Sequence, residues 1–418
     1  MASSRCCIGS VVLVSRCAVS PSRTTLRALV VVCVALITGA RAGPPPPAKQ
    51  LETAAPLPRT PRSVVVRSTE VEGHMAEVIQ QATSGATIPL WSFTVPSPVD
   101  GNAYTGAMVG RSPFFHGHRV TTVQIALVPM IMTFADTGFV ADPTVPDPCI
   151  GNSTVIGMVE NSPIFQTASF TMNGVNVGTA QYVDAFQRAN FWTAIAPTGD
   201  SYHTQLNLTV LPAQRVTVGT RAGGTAVGAC HLVGLVDINA WESLVQGTLI
   251  PSLASQGVGP TIVPVFVFDS VVLCLPVPNG CAVGGYHSAF LSGGALQTYA
   301  TSNFDAAQAF VDDPDISILS HELAEWMDDP TTMNSAPAWG GSGQAQNCCQ
   351  ADLEVGDPLT GSLFPPVTLN GFTYNPQELA FFSWFYRQSP SIGAGGLYSN
   401  NGTFTTGAGA ICAGMVCM

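Results

Sequence analysis

Residues 321 to 325 read His-Glu-Leu-Ala-Glu. On a helix, positions i and i+4 lie one turn apart on the same face, so His321 and Glu325 converge on one point. An imidazole nitrogen and a carboxylate oxygen both serve as zinc ligands, at roughly 2.0 to 2.2 Å. Glu322 lies beside that face, where a general base can take the proton of a water made acidic by a metal. A carboxylate where a second imidazole could stand adds negative charge. It makes that water less acidic and favours harder cations, so calcium stands beside zinc as a candidate cofactor. A third ligand must come from elsewhere in the chain. Glu354, in "DLEVGDP" (352–358), is placed for it, with Asp357 and His287 as rivals.

These residues need a helix to hold them. "DPDISILSHELAEWMDDP" (313–330) predicts one of about four turns, with Asp315 as N-cap and Pro330 as the stop. Apolar neighbours set its acids apart from a general solvated face; the plain alternative is an acidic helix turned to water. Upstream, "NAWESLVQGTLIPSLAS" (239–255) reads as a helix capped by Asn239, and "TIVPVFVFDSVVLCL" (261–275) as a buried strand. "CAVGGYHSAF" (281–290) reads as a strand near a sheet edge. Earlier still, 69–82 has helical composition and 120–134 and 206–219 are strand-like. Tyr182, Phe186 and Ala189 make 179–192 an amphipathic helix. "MVGRSPFF" (108–115) and "MVENSPIF" (158–165) predict two similar turns. The fold class expected is α+β, with a β-rich lobe over 63–238. A second lobe over 239–418 would hold a mixed sheet, the active-site helix and a disulfide-tied C-terminal extension.

The stretch around His321 resembles the HExxH helix of the zincin metallopeptidases. His321 and Glu322 match its first ligand and general base; Glu325 stands at the second ligand's position with a different side chain. The metzincin extension is absent, since Asp328 occupies its glycine and Thr331 its third ligand. Helix, strand, edge strand and long helix is also the order of the upper lobe of such proteases. A thermolysin-like arrangement takes its third ligand from a later Glu, the place of Glu354. The longer pattern is similar to a set of uncharacterised secreted proteins with HELxEAxTDP followed by EIxD. That likeness extends to "GGYHSAF" (284–290) and "FYRQSPSIGAGGLYSNNGTF" (385–404). The resemblance implies a zincin-like lobe and a secreted metal-dependent hydrolase. The expected form is a zinc endopeptidase with a peptide or protein substrate, Glu322 as catalytic base, and His321, Glu325 and Glu354 as ligands. The alternative is a non-catalytic extracellular binding or cell-wall protein that keeps the fold.

Composition bounds these readings. With 10% charged and 46% hydrophobic residues, 41 Gly and 32 Pro, the chain has the makeup of a compact strand- and turn-rich protein, not of a disordered one. Arg5, Arg16, Arg23 and Arg27 precede a 13-residue apolar run (28–40) and the small-x-small triplet Ala40-Arg41-Ala42. This predicts a signal peptide over 1–42 and an extracellular product, with an uncleaved anchor as the alternative, followed by a Pro-rich linker over 43–62. Loss of that signal removes five Arg and no acid, taking the net charge from -11 to -11 - 5 = -16. Such a surface excludes nucleic acid and anionic membranes as partners. Twelve Cys become eight when Cys6, Cys7, Cys17 and Cys33 leave with the signal, an even number that predicts disulfides. Cys348 and Cys349 should each bridge elsewhere. Asn152, Asn207 and Asn401 begin glycosylation sequons.

Competing constellations are weaker. Asp136-Thr137-Gly138 has the aspartic-protease tripeptide but no second copy, so it reads as a turn. No Gly-x-Ser-x-Gly elbow occurs. His231 reads as a satisfied core histidine, His116 and His118 as an exposed turn, and the aromatic run 379–387 as core.

Overall fold

The computed structural model describes residues 57–409 apart from 63, 68–70, 116–118, 200 and 341–349. The expected signal peptide, most of the expected linker, His116, His118 and Cys348, Cys349, Cys412 and Cys417 lie outside the described residues. The described chain opens with α1 (Met75–Ser84), the hairpin β1 (Leu90–Pro96) and β2 (Ala103–Val109), the long β3 (Arg119–Phe134) and β4 (Val140–Ala141). It continues through α2 (Val155–Glu160), β5 (Ala168–Met172), β6 (Val175–Ala180), α3 (Tyr182–Asn190) and α4 (Trp192–Ile195). Next come β7 (Tyr202–Val210), β8 (Gln214–Val218), β9 (Gly223–Val227), β10 (Leu232–Asp237), α5 (Ile238–Leu244) and α6 (Ile250–Leu253). They lead into β11 (Ile262–Asp269), β12 (Val271–Cys274), β13 (Cys281–Val283), β14 (Gly285–Ser292), β15 (Ala295–Phe304) and α7 (Ser317–Asp328). The last elements are β16 (Ser335–Trp339), β17 (Gln350–Asp352), β18 (Val367–Leu369), β19 (Phe372–Tyr374) and α8 (Phe382–Phe385).

A curled mixed sheet of seven strands positions everything else, in the order β14-β15-β11-β3-β4, with β7 and β8 also paired to β3. Strand β3 takes β11 along one edge and β7 along the other, all parallel. Its apolar run is nearly continuous because both faces are covered. Val123, Ile125 and Leu127, with Val263, Val265 and Val267 of β11, pack in the cluster that holds α3 and α7. Ala126, Val128 and Met130, with Phe266 and Phe268, pack in the cluster of α5 and α6. The α+β class is therefore correct, but the boundary expected at 238/239 is not a division between separate sheets. Strands β3, β7 and β8 from before it share one sheet with β11, β14 and β15 from after it. The reason is hydrogen bonding: a long buried strand must pair both edges, and its partners come from both sides of that boundary.

Strand β15 was not anticipated. Its Gln, Thr, Ser and Asn suggest a surface segment, yet it is buried from Leu296 to Phe304. Each flanking helix sends a tryptophan to one of its hydroxyls. Trp241 Nε1 of α5 donates to Thr301 Oγ1 (3.2 Å), and Trp326 Nε1 of α7 donates to Thr298 Oγ1 (3.0 Å). The polar strand is thus a hydrogen-bonded layer between two helices.

Several boundaries also move. The run 261–275 is two strands, broken at Ser270 (φ 54°); β12 leaves for a second sheet with β13, β10 and β9. The cap before 239–255 is Asp237, which accepts from Ala240 N (3.0 Å), so Asn239 lies inside the helix. Asp315 does not cap α7. It sits at φ 42°, and its carboxylate is taken by Ile316 N and by the backbone and side-chain amides of Asn375. The helix ends at Asp328, two residues before Pro330. The two Ser-Pro turns are alike as expected: Ser112 Oγ accepts from Phe114 N and Ser162 Oγ from Ile164 N, both at 3.3 Å. Asp136-Thr137-Gly138 is the turn between β3 and β4. Phe381 to Arg387 are all buried, so that run is core. Asn152, Asn207 and Asn401 are all exposed.

The last residues of the expected linker, and Val66 just after it, are seated on the body. Arg59 pairs with Asp312 (2.9 Å), Arg62 N donates to Ala282 O (2.6 Å), and Ser288 Oγ donates to Val66 O (2.6 Å).

Two disulfides join described cysteines, Cys149–Cys230 and Cys274–Cys281. The first spans 81 positions and constrains a long loop of the unfolded chain. Replacing both of its cysteines by serine should cost roughly 4 kcal/mol, read as a lower urea midpoint, with a steeper slope because the freed unfolded chain exposes more surface.

Candidate metal centre

All twelve residues of α7 are buried. Glu322 is 5% exposed, Glu325 3% and Asp328 0%. The water-facing acidic helix is therefore excluded. Helix α7 lies against β14 and β15 on one side and α3 on the other, so its acids have protein partners instead of solvent.

His321 is oriented by its back nitrogen. Nδ1 lies 3.0 Å from Gln377 Oε1, while Gln377 Nε2 donates to Gly356 O (2.6 Å). With the amide fixed that way, Nδ1 carries a proton and Nε2 is the nitrogen that faces forward. Nε2 faces Glu325 Oε2 at 3.0 Å and Asp357 Oδ1 at 3.5 Å. Glu325 Oε1 accepts from Gly356 N (3.0 Å) and Asp357 N (3.2 Å), so one oxygen is anchored and the other points at the histidine. Burial alone would lower the His321 pKa, but the Glu325 carboxylate and the Asp357 contact raise it well above its ordinary value.

Glu322 differs from its neighbours. No hydrogen bond reaches it among the described residues, and burial pushes its carboxyl up to about 8. His287 Nδ1 stands 3.7 Å from Glu322 Oε2 and 3.8 Å from Glu325 Oε2. His287 comes from β14, where successive residues face opposite sides. Tyr286 turns to Glu242 of α5, and His287 turns to α7. Burial lowers the His287 pKa and keeps the ring neutral, and its Nε2 lies 3.0 Å from Asp329 O.

The residues expected from the sequence gather in two groups, each with ligand atoms within 4.8 Å of one another. One is His321, Glu322 and Glu325; the other is His287, Glu325 and Glu354. Glu354 thus falls beside His287 and Glu325, and Asp357 is the carboxylate that approaches His321. The "EVGD" segment is held beside α7 by backbone bonds to its neighbours, Leu353 N on Asn334 O and Ala380 N on Val355 O. Gln377 was missed, because a glutamine in "YNPQELAFF" carries no spacing signal. So were Gln187 and Asn190 of α3, whose amides donate to Asp328.

A small cavity of about 20 Å³, room for about one water, opens above Glu322. Gly285, Glu322 and Asp357 line it, and Pro61, Arg62 and Val64 roof it. A third group, Asp147, Cys149 and His231, offers no ligand set, because Cys149 is in a disulfide. His231 is satisfied by Asp147 Oδ2 (2.9 Å) and Leu232 O (2.7 Å), but it is partly exposed and not in the core. Beside it, burial and then the charge of Asp147 push Asp269 up to about 7.

Two predictions follow from these environments. Gly356 has ordinary helical dihedrals (φ -87°, ψ -36°), yet a Cβ there would stand 2.5 Å from His321 Nδ1. Gly356→Ala should displace the imidazole and cost about 1 to 3 kcal/mol in urea unfolding. Asp269 keeps its proton in the fold above the unfolded value of 3.8, so its contribution to stability falls as pH rises from about 4 to about 7. Asp269→Asn should shrink the stability difference between those pH values by up to roughly 4 kcal/mol, measured by urea unfolding at each.

No family model, curated protein or solved structure matches this chain.

Proposed function

We propose that this chain is a secreted metal-dependent hydrolase, of the zinc endopeptidase type, working at the His321–Glu322–Glu325 group. The observation that carries the reading is a forward-facing His321 Nε2, held by Gln377, opposite an anchored Glu325 and beside an unbonded Glu322. The donor set fits a divalent cation: one imidazole of fixed tautomer, carboxylates within 4.8 Å, and backing by a side-chain amide. His321 and Glu325 would hold the ion, with Asp357 completing the set. When bound, such an ion supplies a Lewis acid that polarises a carbonyl and acidifies water.

The chain's own residues do the rest. Glu322, lining the cavity with a carboxyl near neutral range, takes and returns the proton. Gln377 keeps the His321 ring in one tautomer. Strand β14 ends the sheet beside Glu322 and has β15 as its partner, so its outer edge suits an extended peptide. A second reading, a non-catalytic extracellular binding protein, draws support from the small volume of the cavity and its roof of Pro61, Arg62 and Val64.

Glu322→Gln separates these readings. It should leave zinc content unchanged and lower hydrolysis of a quenched peptide library at least 100-fold. His321→Ala should lose the ion of this group, and hydrolysis with it. Wild-type protein that holds zinc but cleaves nothing supports the binding reading; wild-type protein that retains no divalent ion rejects the metal centre.

A further inference from the structure

We infer that the chain holds two divalent cations, the second between His287, Glu325 and Glu354, with Glu325 shared by both sites. The first ion is the one the hydrolase reading requires; the second stands on its own geometry.

One ring nitrogen of His287 and one oxygen each of Glu325 and Glu354 lie within 4.8 Å of one another, and all three residues are buried. Three ligands at roughly 2.0 to 2.2 Å from one ion would be about 3.4 Å apart in a tetrahedron, so little movement is needed. Glu354 supplies an independent sign. It is 2% exposed, and its Oε1 has no hydrogen-bond partner. A buried carboxylate oxygen without a donor is costly unless a cation meets it.

The surroundings sharpen the point. Four other carboxylates, Glu325, Asp329, Asp357 and Asp352, act on Glu354. Arg67 is already paired with Asp352. Asp329 is taken by Met333 N (3.0 Å) and Asn334 N (2.9 Å). His287 Nε2 is held to Asp329 O (3.0 Å), with Glu325 Oε2 at 3.8 Å from Nδ1 and Glu354 Oε2 at 4.0 Å from Nε2. One ion at His321 leaves Glu354 uncompensated; a second ion at His287 meets it. Carboxylates plus a single imidazole suit zinc or manganese. A carboxylate shared between two ions is the arrangement of two-metal hydrolytic centres.

The test is metal counting on the full chain, stripped with chelator, reloaded with Zn²⁺ or Mn²⁺ alone and dialysed. Wild type should retain two ions per chain, and the Mn²⁺ form should give the electron paramagnetic resonance signal of a coupled pair. Glu354→Gln, which removes a buried charge without changing shape, should retain one ion and lose the coupling. His321→Ala should also retain one. A single ion in wild type, lost in His321→Ala and kept in Glu354→Gln, overturns the second site and leaves the hydrolase reading standing. Two coupled ions without peptide cleavage supports the pair and rejects that reading. If Glu354→Gln does not fold, the coupling in wild type decides.

Discussion

Taking the ionisable side chains of α7 out of water is the constraint around which the described structure is arranged. A buried carboxylate without partners costs several kcal/mol, so each one must be met by donors, by a proton or by a cation. Asp328 is met by the Gln187 and Asn190 amides of α3. Asp329 is met by the backbone of residues 333 and 334. Glu325 is met by the backbone of residues 356 and 357 and by His321. Burial still pushes Asp328 and Asp329 up to about 7 and Glu322 to about 8. Donors thus serve Asp328 and Asp329, whereas Glu322 accepts no hydrogen bond among the described residues and Glu354 Oε1 has no partner. That difference separates structural acids from candidate functional ones around one helix.

The sheet serves this arrangement by supplying a polar layer where a purely apolar one would be expected. Strand β15 offers hydroxyls to tryptophans on both faces, which locks α5 and α7 against it at fixed height. Strand β14 then divides its side chains, sending Tyr286 to Glu242 and His287 to the acids of α7. Two glycines allow the close approach. A Cβ at Gly285 would meet Glu322 Oε1 at 3.0 Å, and one at Gly356 would meet the His321 ring. Packing density, not flexibility, is what these glycines provide.

Access to the centre is set by the segment that leads into the fold. Pro61, Arg62 and Val64 cover the cavity, and Arg59, Arg62, Val66 and Arg67 fasten that cover to four separate places. In this conformation the centre has room for something the size of a water.

The pair His321 and Glu325 was legible from sequence because helical spacing alone converges i and i+4. Glu322 and the apolar setting of the helix followed from the same pattern. The α+β class, the helix at 182–190 and the edge position of His287's strand were also readable from periodicity and glycine content. What local pattern does not carry is partnership across the chain. Residue 315 looks like a cap until Asn375 claims its carboxylate. The strand at 295–304 looks solvated until two tryptophans claim its hydroxyls. Glu354 and Asp357, three residues apart, take different sides of Glu325 because the backbone between them turns around its carboxylate. The sequence by itself determined which side chains face together on one helix, since that depends on a fixed helical repeat. Only the tertiary structure decided which buried acids find donors and which do not, since that depends on distances between segments far apart in the chain.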